Sequence, residues 1–290
     1  MTEQAVSTPK IPRIMAVANQ KGGVGKTTTA VNLATAMCAV GKTVLLVDLD
    51  SQGNASTGLG IKRVDIRHSS YDVLFGEVAV EDAIMQTKVP NLSIVPSSIH
   101  LSGAEIELVD VERREYCLRD ALRQPLPFDY IIIDCAPSLS LLTLNALVAT
   151  DTVVVPLQCE FYALEGLSHL VKTIERVRKA FNPTLDIHGV VLTMYDRRNN
   201  LSSMVENDVR EFFGDKVYRT VIPRNVRVSE APSFGLPAIV YDMKSPGATA
   251  YIHLASEVLK RERTLMREAA ANEQQLIENK LQNTEVKGAA

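Results

Sequence analysis

The sequence predicts an α/β fold, a doubly wound and mostly parallel sheet flanked by helices. Short apolar runs such as residues 44–47 lack polar alternation, which is typical of strands buried on both faces of a parallel sheet. Helical patterns separate these runs, and this regular alternation of strand and helix is the pattern of doubly wound folds. A glycine-rich loop also lies between the first predicted strand and the first predicted helix.

The predicted elements follow from the periodicity of apolar side chains along the chain. The first helix is expected to end before Gly41, because glycine commonly terminates helices. Strands are predicted at residues 13–19, 43–48, 92–95, 130–134, 152–156 and 187–193, with short edge strands at 217–222 and 238–240. Helices are predicted at residues 26–40, about 102–123, 164–180, 203–213 and from 248 to about 281.

The composition is that of a globular chain, with 46% hydrophobic and 22% charged residues among 290. We expect a flexible lead-in at residues 1–10, a single domain at residues 11–262, and a polar helical or flexible tail at residues 263–290. No apolar run reaches the length of a membrane span, and the first ten residues lack an apolar signal core. Four widely spaced cysteines in apolar contexts indicate reduced core residues, so we expect a cytoplasmic protein.

The charge balance does not indicate nucleic-acid binding by the molecule as a whole, because the net charge is −3. Between residues 196 and 230, seven basic side chains stand against six acidic ones, which is typical of an ordinary solvated surface. Any contact with DNA must therefore come from a local patch.

The glycine-rich loop has the features of a phosphate-binding site at residues 21–28. Glycines let consecutive backbone N–H groups turn towards an anion, and the following helix directs its positive dipole end at the same place. Lys26 would neutralise the β and γ phosphates, and the Thr27 hydroxyl would bind Mg²⁺. The predicted cradle consists of Lys21, Gly22, Gly23, Val24, Gly25, Lys26, Thr27 and Thr28.

This loop departs from the standard pattern G-x-x-x-x-G-K-[ST] at one position. Gln20 stands where the pattern has glycine, and the extra lysine, Lys21, follows it. From the residues alone, Lys21 is either a solvated surface charge or a second phosphate contact.

Four segments carry a resemblance to a known family. They are K-G-G-V-G-K-T-T at 21–28, V-L-L-V-D-L-D-S-Q-G-N-A-S at 44–56, F-D-Y-I-I-I-D-C-A-P-S at 128–138 and I-P-R-N-V-R-V-S-E-A-P at 222–232. From about residue 13 to about residue 260, the chain resembles the deviant Walker A family of P-loop ATPases, and most closely its ParA/Soj partition proteins. The resemblance implies ATP and Mg²⁺ as ligands. It also implies that Lys21 reaches across a dimer interface to the partner's phosphates and joins Lys26 in catalysis.

Three aspartates end predicted strands near this loop. Asp134 has the Walker B pattern of a carboxylate that holds Mg²⁺ through water, and the structural alternative is a strand-end cap. Asp48 and Asp50 are alternate residues of an extended segment, so both can face the nucleotide. By resemblance, Asp50 matches the catalytic aspartate that positions the attacking water, and Asp48 is a candidate for the surroundings of the metal. The alternative for both is turn or helix-capping chemistry.

The third group of candidates lies between residues 196 and 230. Pro223, Arg224 and Asn225 follow a predicted strand near the sheet edge, where base-recognition loops lie in this fold, so this segment, with Pro223 and Asn225 foremost, is a candidate for adenine contact. The alternative is a simple strand-exit turn. Arg198 and Arg227 match positions at which ParA/Soj proteins contact DNA phosphates without sequence preference.

The resemblance implies an ATPase that acts as a switch. In this interpretation an ATP-bound homodimer coats the nucleoid DNA, and a ParB-like centromere-binding partner stimulates slow hydrolysis, which moves a chromosome origin or a plasmid. The alternative is a MinD-like positioning ATPase that acts at a membrane or on a protein partner. We expect no membrane binding, because the tail is polar and acidic rather than amphipathic with bulky apolar residues.

Three further classes fit the sequence less well. An electron-transfer ATPase like the nitrogenase iron protein needs two suitably placed cysteines, and only Cys135 lies in the Walker B turn. A bacterial tyrosine kinase would carry a C-terminal tyrosine cluster. A DNA-binding regulator of the plasmid type would carry an N-terminal DNA-reading domain, for which the lead-in is too short.

Overall fold

The computed structural model describes residues 10–138 and 140–288, so residues 1–9 of the predicted lead-in lie outside the described residues. The described residues form an eight-stranded sheet, ordered β3–β4–β2–β5–β1–β6–β7–β8. β3 runs antiparallel to β4, and the other neighbouring strands are parallel, which confirms the predicted sheet. The strands are β1 (Arg13–Val17), β2 (Val44–Leu49), β3 (Met85–Gln86), β4 (Leu92–Val95), β5 (Tyr130–Cys135), β6 (Thr152–Gln158), β7 (Asp186–Tyr195) and β8 (Val217–Pro223).

Helices connect these strands and cover both faces of the sheet. They are α1 (Lys26–Ala39), α2 (Asn54–Gly58), α3 (Ser70–Leu74), α4 (Val80–Ala83), α5 (Ala104–Glu107), α6 (Cys117–Leu122), α7 (Leu141–Ala149), α8 (Ala163–Ala180), α9 (Asn200–Phe213), α10 (Val226–Glu230), α11 (Ala238–Tyr241) and α12 (Pro246–Gly288). Within the described residues, no helix combines the length and the apolar character that crossing a membrane requires.

Two hydrophobic clusters pack against opposite faces of the sheet. One joins α1 and α12 to the sheet, with Leu33 and Leu254 fully buried. The other lies under α6, α7, α8 and α9, and Leu167 is fully buried within it. Because both faces are covered, the strands consist of continuous apolar runs, as the sequence pattern predicted.

Strand register brings the candidate carboxylates together at one edge of the sheet. Asp48 on β2 lies opposite Asp134 on β5, and Val17 at the end of β1 lies opposite Asp134 on its other side. The glycine-rich loop that follows β1 therefore begins next to Asp134. Ligands of open α/β sheets bind at this carboxyl edge.

The prediction of one helix at residues 102–123 is wrong. The structure has α5, a 3₁₀ turn at Leu108–Asp110, and α6, separated by an irregular segment. The side chain of Asn145 holds this break, because its Oδ1 accepts a hydrogen bond from the N–H of Leu118 and its amide donates to the carbonyl of Arg114. These hydrogen bonds join residues that are distant in sequence, so local periodicity did not indicate them.

The prediction of an edge strand at residues 238–240 is also wrong, because these residues belong to α11. The carbonyl of Pro237 accepts hydrogen bonds from the N–H groups of Val240 and Tyr241. Oδ1 of Asn32, on α1, accepts a hydrogen bond from the N–H of Ala238 at 2.8 Å. A tertiary contact thus starts a helix where a short apolar run suggested a strand.

Glu262 anchors α12 to the sheet through a buried ion pair. Its side chain is completely buried, and Oε2 accepts a hydrogen bond from Arg13 at 3.0 Å. Nε2 of His188 lies 3.2 Å from the other carboxylate oxygen, Oε1. Burial alone would raise the pKa of Glu262, but His188 and Arg13 outweigh burial and lower it. Burial lowers the pKa of His188, and the Glu262 carboxylate offsets this only in part.

We expect Glu262→Ala to lower the free energy of unfolding by about 1–3 kcal/mol, because buried His188 loses its partner and Arg13 retains only Asp151 within the described residues. Urea denaturation at neutral pH measures this. Glu268→Ala is the matched control, since Glu268 is an exposed carboxylate of the same helix. Equal stability of the two variants would contradict the anchoring role.

The pair of His188 and Glu262 also predicts how the free energy of unfolding depends on pH. The unfolded chain protonates His188 near pH 6.5, above the pKa of the folded protein, so the free energy of unfolding falls as the pH drops below about 6.5. The contribution of Glu262 is complete above its unfolded pKa near 4.3 and is lost as the pH falls through its lower folded value. The Glu262→Ala variant should lose the second effect.

Candidate nucleotide-binding site

A cavity of about 980 Å³ opens at the carboxyl edge of the sheet. It brings together the glycine-rich loop, the turn after β2 and the segment after β8, which are far apart in sequence. The predicted residues that line it are Gly23, Gly25, Lys26, Thr27, Thr28, Asp50, Pro223 and Asn225. Lys21, Gly22, Val24, Asp48 and Asp134 are not among the lining residues.

The backbone of the loop suits an anion. Gly23 and Gly25 have φ values of 73° and 84°, a left-handed conformation that strains any residue with a side chain. α1 begins at Lys26, and no side chain caps its N-terminus within the described residues. Its free N–H groups and positive dipole end therefore face the cavity, an arrangement that binds phosphate.

The two lysines of the loop differ in their surroundings. Lys26 is buried, and its Nζ donates to the carbonyl of Lys21 at 2.9 Å. Burial lowers the pKa of Lys26, whereas the nearby Asp134 carboxylate raises it. Nζ of Lys21 instead forms an ion pair with Glu160, just beyond β6, and both side chains are about 40% exposed. Lys21 is thus held outside the cavity within its own chain.

Asp134 is the clearest sign that a cation belongs here. Its side chain is fully buried, and neither carboxylate oxygen has a well-oriented hydrogen bond within the described residues. Burial and the adjacent Asp48 raise the pKa of Asp134 well above its usual range, whereas the Thr27 hydroxyl lowers it. A buried, uncompensated carboxylate beside a hydroxyl fits Mg²⁺.

The protein alone does not complete such a metal site. Among the described residues, no group of three or more His, Cys, Asp or Glu side chains could hold an ion. Thr27 and Asp134 therefore fit a metal that arrives with further ligands from a nucleotide and water, as Mg²⁺ does.

Asp48 does not face the cavity, although it was predicted as part of the metal surroundings. Its Oδ2 accepts hydrogen bonds from the N–H of Ser56 at 2.8 Å and from the Ser56 hydroxyl at 2.7 Å. Its Oδ1 accepts from the N–H of Asp50 at 3.3 Å. Burial raises the pKa of Asp48 to about 6, which the hydrogen bonds from Ser56 partly oppose. These contacts favour the turn-holding alternative, and the metal role of Asp48 stays a prediction.

Asp50 lies just beyond the end of β2, at the cavity wall. The alternation of side chains between the two faces of a strand therefore no longer decides which way its side chain points. Its Oδ1 accepts a hydrogen bond from the N–H of Gln52 at 3.0 Å. Its carbonyl accepts a hydrogen bond from the Ser97 hydroxyl, at the end of the neighbouring strand β4. The turn is thus held on both sides, which keeps the Asp50 carboxylate at the cavity.

The part of the cavity wall formed by residues from β8 onwards is largely apolar, although Arg224 and Ser229 also line it. Besides Pro223 and Asn225, it is lined by Ile222, Val228, Leu236, Pro237, Ala238 and Tyr251. Such a surface suits the flat face of a base. Oδ1 of Asn225 caps α10 by accepting a hydrogen bond from the N–H of Val228 at 3.3 Å. The structure therefore has the strand-exit turn that was the alternative to adenine contact. Within the part of the chain that the structure describes, the amide N–H₂ of Asn225 donates no hydrogen bond, and adenine contact stays a prediction.

Sequence reasoning missed two residues of this site. The hydroxyl of Thr193 donates to the carbonyl of Val24 at 2.8 Å and so supports the loop from the end of β7. A polar residue at the end of an apolar strand was the available signal. Tyr251 lines the cavity from α12, and its hydroxyl lies 3.3 Å from that of Thr29. No local pattern distinguished it from a core tyrosine.

The two arginines predicted to contact DNA are exposed and paired within the chain. Arg198 donates to both carboxylate oxygens of Asp196, at 3.0 and 2.9 Å, and thereby lowers the pKa of Asp196 to about 2. Arg227 donates to Glu230 at 3.0 Å and lies 3.5 Å from Asp242. Arg198 lines a second cavity, and Arg227 does not.

The sequence of this chain is similar to a known domain family and to known proteins. A family described as an AAA domain matches residues 12–187. The chain is 60% identical over 261 residues to the chromosome partitioning protein ParA of Caulobacter vibrioides, covering 89% of this chain and 98% of that protein. It is 56% identical over 247 residues to the sporulation initiation inhibitor protein Soj of Bacillus subtilis, covering 85% of this chain and 98% of that protein.

A solved structure is also similar over most of its length. The cobyrinic acid a,c-diamide synthase of Mycobacterium smegmatis, with a bound ATP analog and magnesium, has a TM-score of 0.76 and 38% sequence identity. The match covers 87% of this chain and 96% of that chain. It supports the fold.

Proposed function

Because the chain belongs to the ParA/Soj family of chromosome-partitioning ATPases, we propose that it is an ATP-dependent switch for DNA partitioning. Its nucleotide is ATP with Mg²⁺, the pair found as an ATP analog and magnesium in the similar synthase structure. In the proposed cycle, an ATP-bound sandwich dimer binds DNA without sequence preference. A ParB-like centromere-binding partner then stimulates hydrolysis, which releases the DNA and segregates chromosome origins or plasmids.

One observation carries the hydrolytic part of this proposal. Lys26, Thr27 and Asp50 line a single cavity, and the buried carboxylate of Asp134 lies next to Thr27 without a well-oriented partner. Phosphoryl transfer requires positioning and charge stabilisation more than covalent chemistry, and these residues supply both.

Each residue has a distinct task in the proposed reaction. Lys26 and the N-terminus of α1 bind the phosphates, and Thr27 and Asp134 would hold the metal. Bound Mg²⁺ supplies positive charge to the phosphate oxygens. Asp50 positions the attacking water from the rigid turn after β2, where Ser97 and Gln52 fix it.

Dimer formation requires Lys21 to leave Glu160. Both partners of this ion pair are about 40% exposed, so the pair contributes at most about 1 kcal/mol to stability. Exchange of Glu160 for the more highly charged phosphates of a partner's ATP is therefore favourable. Nucleotide binding can in this way set the oligomeric state.

The DNA-binding part of the proposal rests on the two exposed arginines, Arg198 and Arg227. A single arginine–phosphate contact is weak, and an acidic chain has little long-range attraction for DNA. A dimer presents each contact twice on one rigid body, which raises the effective concentration of the second contact. DNA binding then depends on ATP through dimerisation.

Sedimentation velocity with ATP, with ADP and without nucleotide tests this proposal, in each case with and without a short non-specific duplex. We expect dimers with ATP only, and co-sedimentation of the duplex with these dimers. A nucleotide-free monomer that binds duplex as tightly as the ATP-bound form would overturn the switch.

A further inference from the structure

The nucleotide cavity has one wall that belongs neither to the sheet nor to the phosphate loop. It is formed by residues 231–238, which follow α10 and end at the first residue of α11; we call them the wall segment. Pro232, Leu236, Pro237 and Ala238 of this segment line the cavity. Apolar side chains of this kind suit the face of a nucleobase, so the distance from this wall to the phosphate loop limits which base fits.

Asn32, on α1, connects the wall segment to the phosphate loop. Its Oδ1 accepts a hydrogen bond from the N–H of Ala238 at 2.8 Å, and its Nδ2 donates to the carbonyl of Thr28 at 2.8 Å. Asn32 is 3% exposed and itself lines the cavity. Because Thr28 belongs to the predicted phosphate cradle, a single buried amide ties the apolar wall of the cavity to its phosphate end.

A close contact between two glycines holds the wall segment at a second point. A Cβ on Gly235 would lie 2.7 Å from Cα of Gly60, and a Cβ on Gly60 would lie 3.0 Å from the carbonyl oxygen of Gly235. Gly60 lies just beyond α2, and backbone packed against backbone leaves the segment no room to move towards α2. The hydrogen bond to Asn32 holds the other end of the segment, at Ala238.

The contacts of Asn32 are unlike those of an ordinary buried polar residue of a helix. Thr35, one turn further along α1, donates from its hydroxyl to the carbonyl of Val31 and is satisfied within the helix. Asn32 instead uses its acceptor on an N–H that is 206 residues away in sequence. Without this acceptor, the buried Ala238 loses the partner of its N–H, and the first turn of α11 loses this attachment to α1.

We infer that Asn32 is a positioning residue for nucleobase selectivity, because it holds the wall segment at the distance from the phosphate loop that a purine base fills. A bicyclic purine contacts more of an apolar wall than a monocyclic pyrimidine does, so release of the wall weakens purine binding more. The inference rests on the proposed function. It adds to that function a residue that selects the base without belonging to the phosphate cradle.

Binding of ADP and of CDP, each with Mg²⁺, tests the inference by isothermal titration calorimetry. The diphosphates are used because the proposed cycle forms dimers with ATP only, so both affinities report the protomer. Asn32→Ala removes both hydrogen bonds of the amide. Thr35→Ala is the matched control, because Thr35 is 2% exposed on the same helix and is not among the residues that line the cavity.

Two further full-length variants separate the contact with Ala238 from the contact with Thr28. Asn32→Asp keeps an oxygen that accepts from the N–H of Ala238, and its charge lowers both affinities by a similar factor because both ligands carry the same phosphates. Ala238→Pro removes the N–H itself and leaves Asn32 in place. Proline suits this position, since Ala238 is the first residue of α11 and Pro237 before it is extended, with a ψ of 151°.

Asn32→Ala and Ala238→Pro should each bind ADP about tenfold more weakly than Thr35→Ala, and CDP no more than about threefold more weakly. The ratio of ADP affinity to CDP affinity should therefore fall in both variants. Asn32→Asp should keep the ratio of Thr35→Ala, even where both of its affinities are lower. A general loss of structure would instead lower the two affinities together and leave the ratio unchanged.

Each outcome decides a separate claim. An unchanged ratio in Asn32→Ala and Ala238→Pro would overturn the positioning role, and either variant alone decides this if a thermal melt shows that the other does not fold. A ratio in Asn32→Asp as low as in Asn32→Ala would overturn the contact with Ala238 as the basis of selectivity. An unmodified protein that binds ADP and CDP equally would overturn selection by the wall and leave the switch standing. An unmodified protein that binds neither would overturn the proposed function, and the inference with it.

Discussion

Asp50→Ala should retain ATP binding and lose ATP turnover by about 100-fold or more, the range expected when one positioned catalytic group is removed. Binding should persist because the groups proposed to bind the phosphates, namely the loop, Lys26 and the uncapped N-terminus of α1, do not include Asp50. Phosphate release under single-turnover conditions measures the loss, and equilibrium binding of a fluorescent ATP analogue measures the affinity.

Asp50→Asn separates the charge of Asp50 from its hydrogen bond. Asparagine keeps the carbonyl oxygen that accepts a hydrogen bond from the N–H of Gln52, so the turn is preserved. If Asp50 acts on the attacking water through its charge, both variants lose turnover. Near-normal turnover in Asp50→Asn would show that the aspartate merely holds the turn.

Gly22→Val should abolish the ATP-dependent dimer while leaving the protomer folded. A Cβ at this position would lie 3.9 Å from Cβ of Pro137, an ordinary van der Waals distance, so the protomer has room for a side chain. The φ of Gly22 lies outside the left-handed region, unlike those of Gly23 and Gly25, so the backbone is not strained either. The obstruction therefore acts between protomers, next to Lys21.

Sedimentation with ATP measures this loss, and a thermal melt without nucleotide verifies the fold. Gly22→Ala should have a smaller effect, since its side chain extends less far from the loop. An intact ATP-dependent dimer in Gly22→Val would refute the close approach of the two loops. A melting temperature well below that of the unmodified protein would show instead that the protomer lacks the room inferred for it.

The chemistry predicted for the phosphate site depends on contiguous residues, so the sequence alone was enough to state the prediction. The glycines, Lys26 and Thr27 lie in one short loop and the first turn of one helix, so their spacing alone indicates phosphate binding. The apolar runs of β1, β2 and β5 likewise predicted a parallel sheet, because burial on both faces leaves no alternation.

Residues that act through distant contacts needed the folded chain. Asp48 and Asp50 are two positions apart, yet hydrogen bonds from Ser56 turn Asp48 inward while Asp50 lines the cavity. Residues 238–240 look like a strand locally, but Asn32 on α1 starts a helix there. The sequence placed Arg224 in the segment predicted to contact adenine, but only the packing of β7 against β8 shows that it borders two cavities. Local motifs report what a segment can bind, whereas packing between segments decides which side chains face one another and which charges stay unpaired.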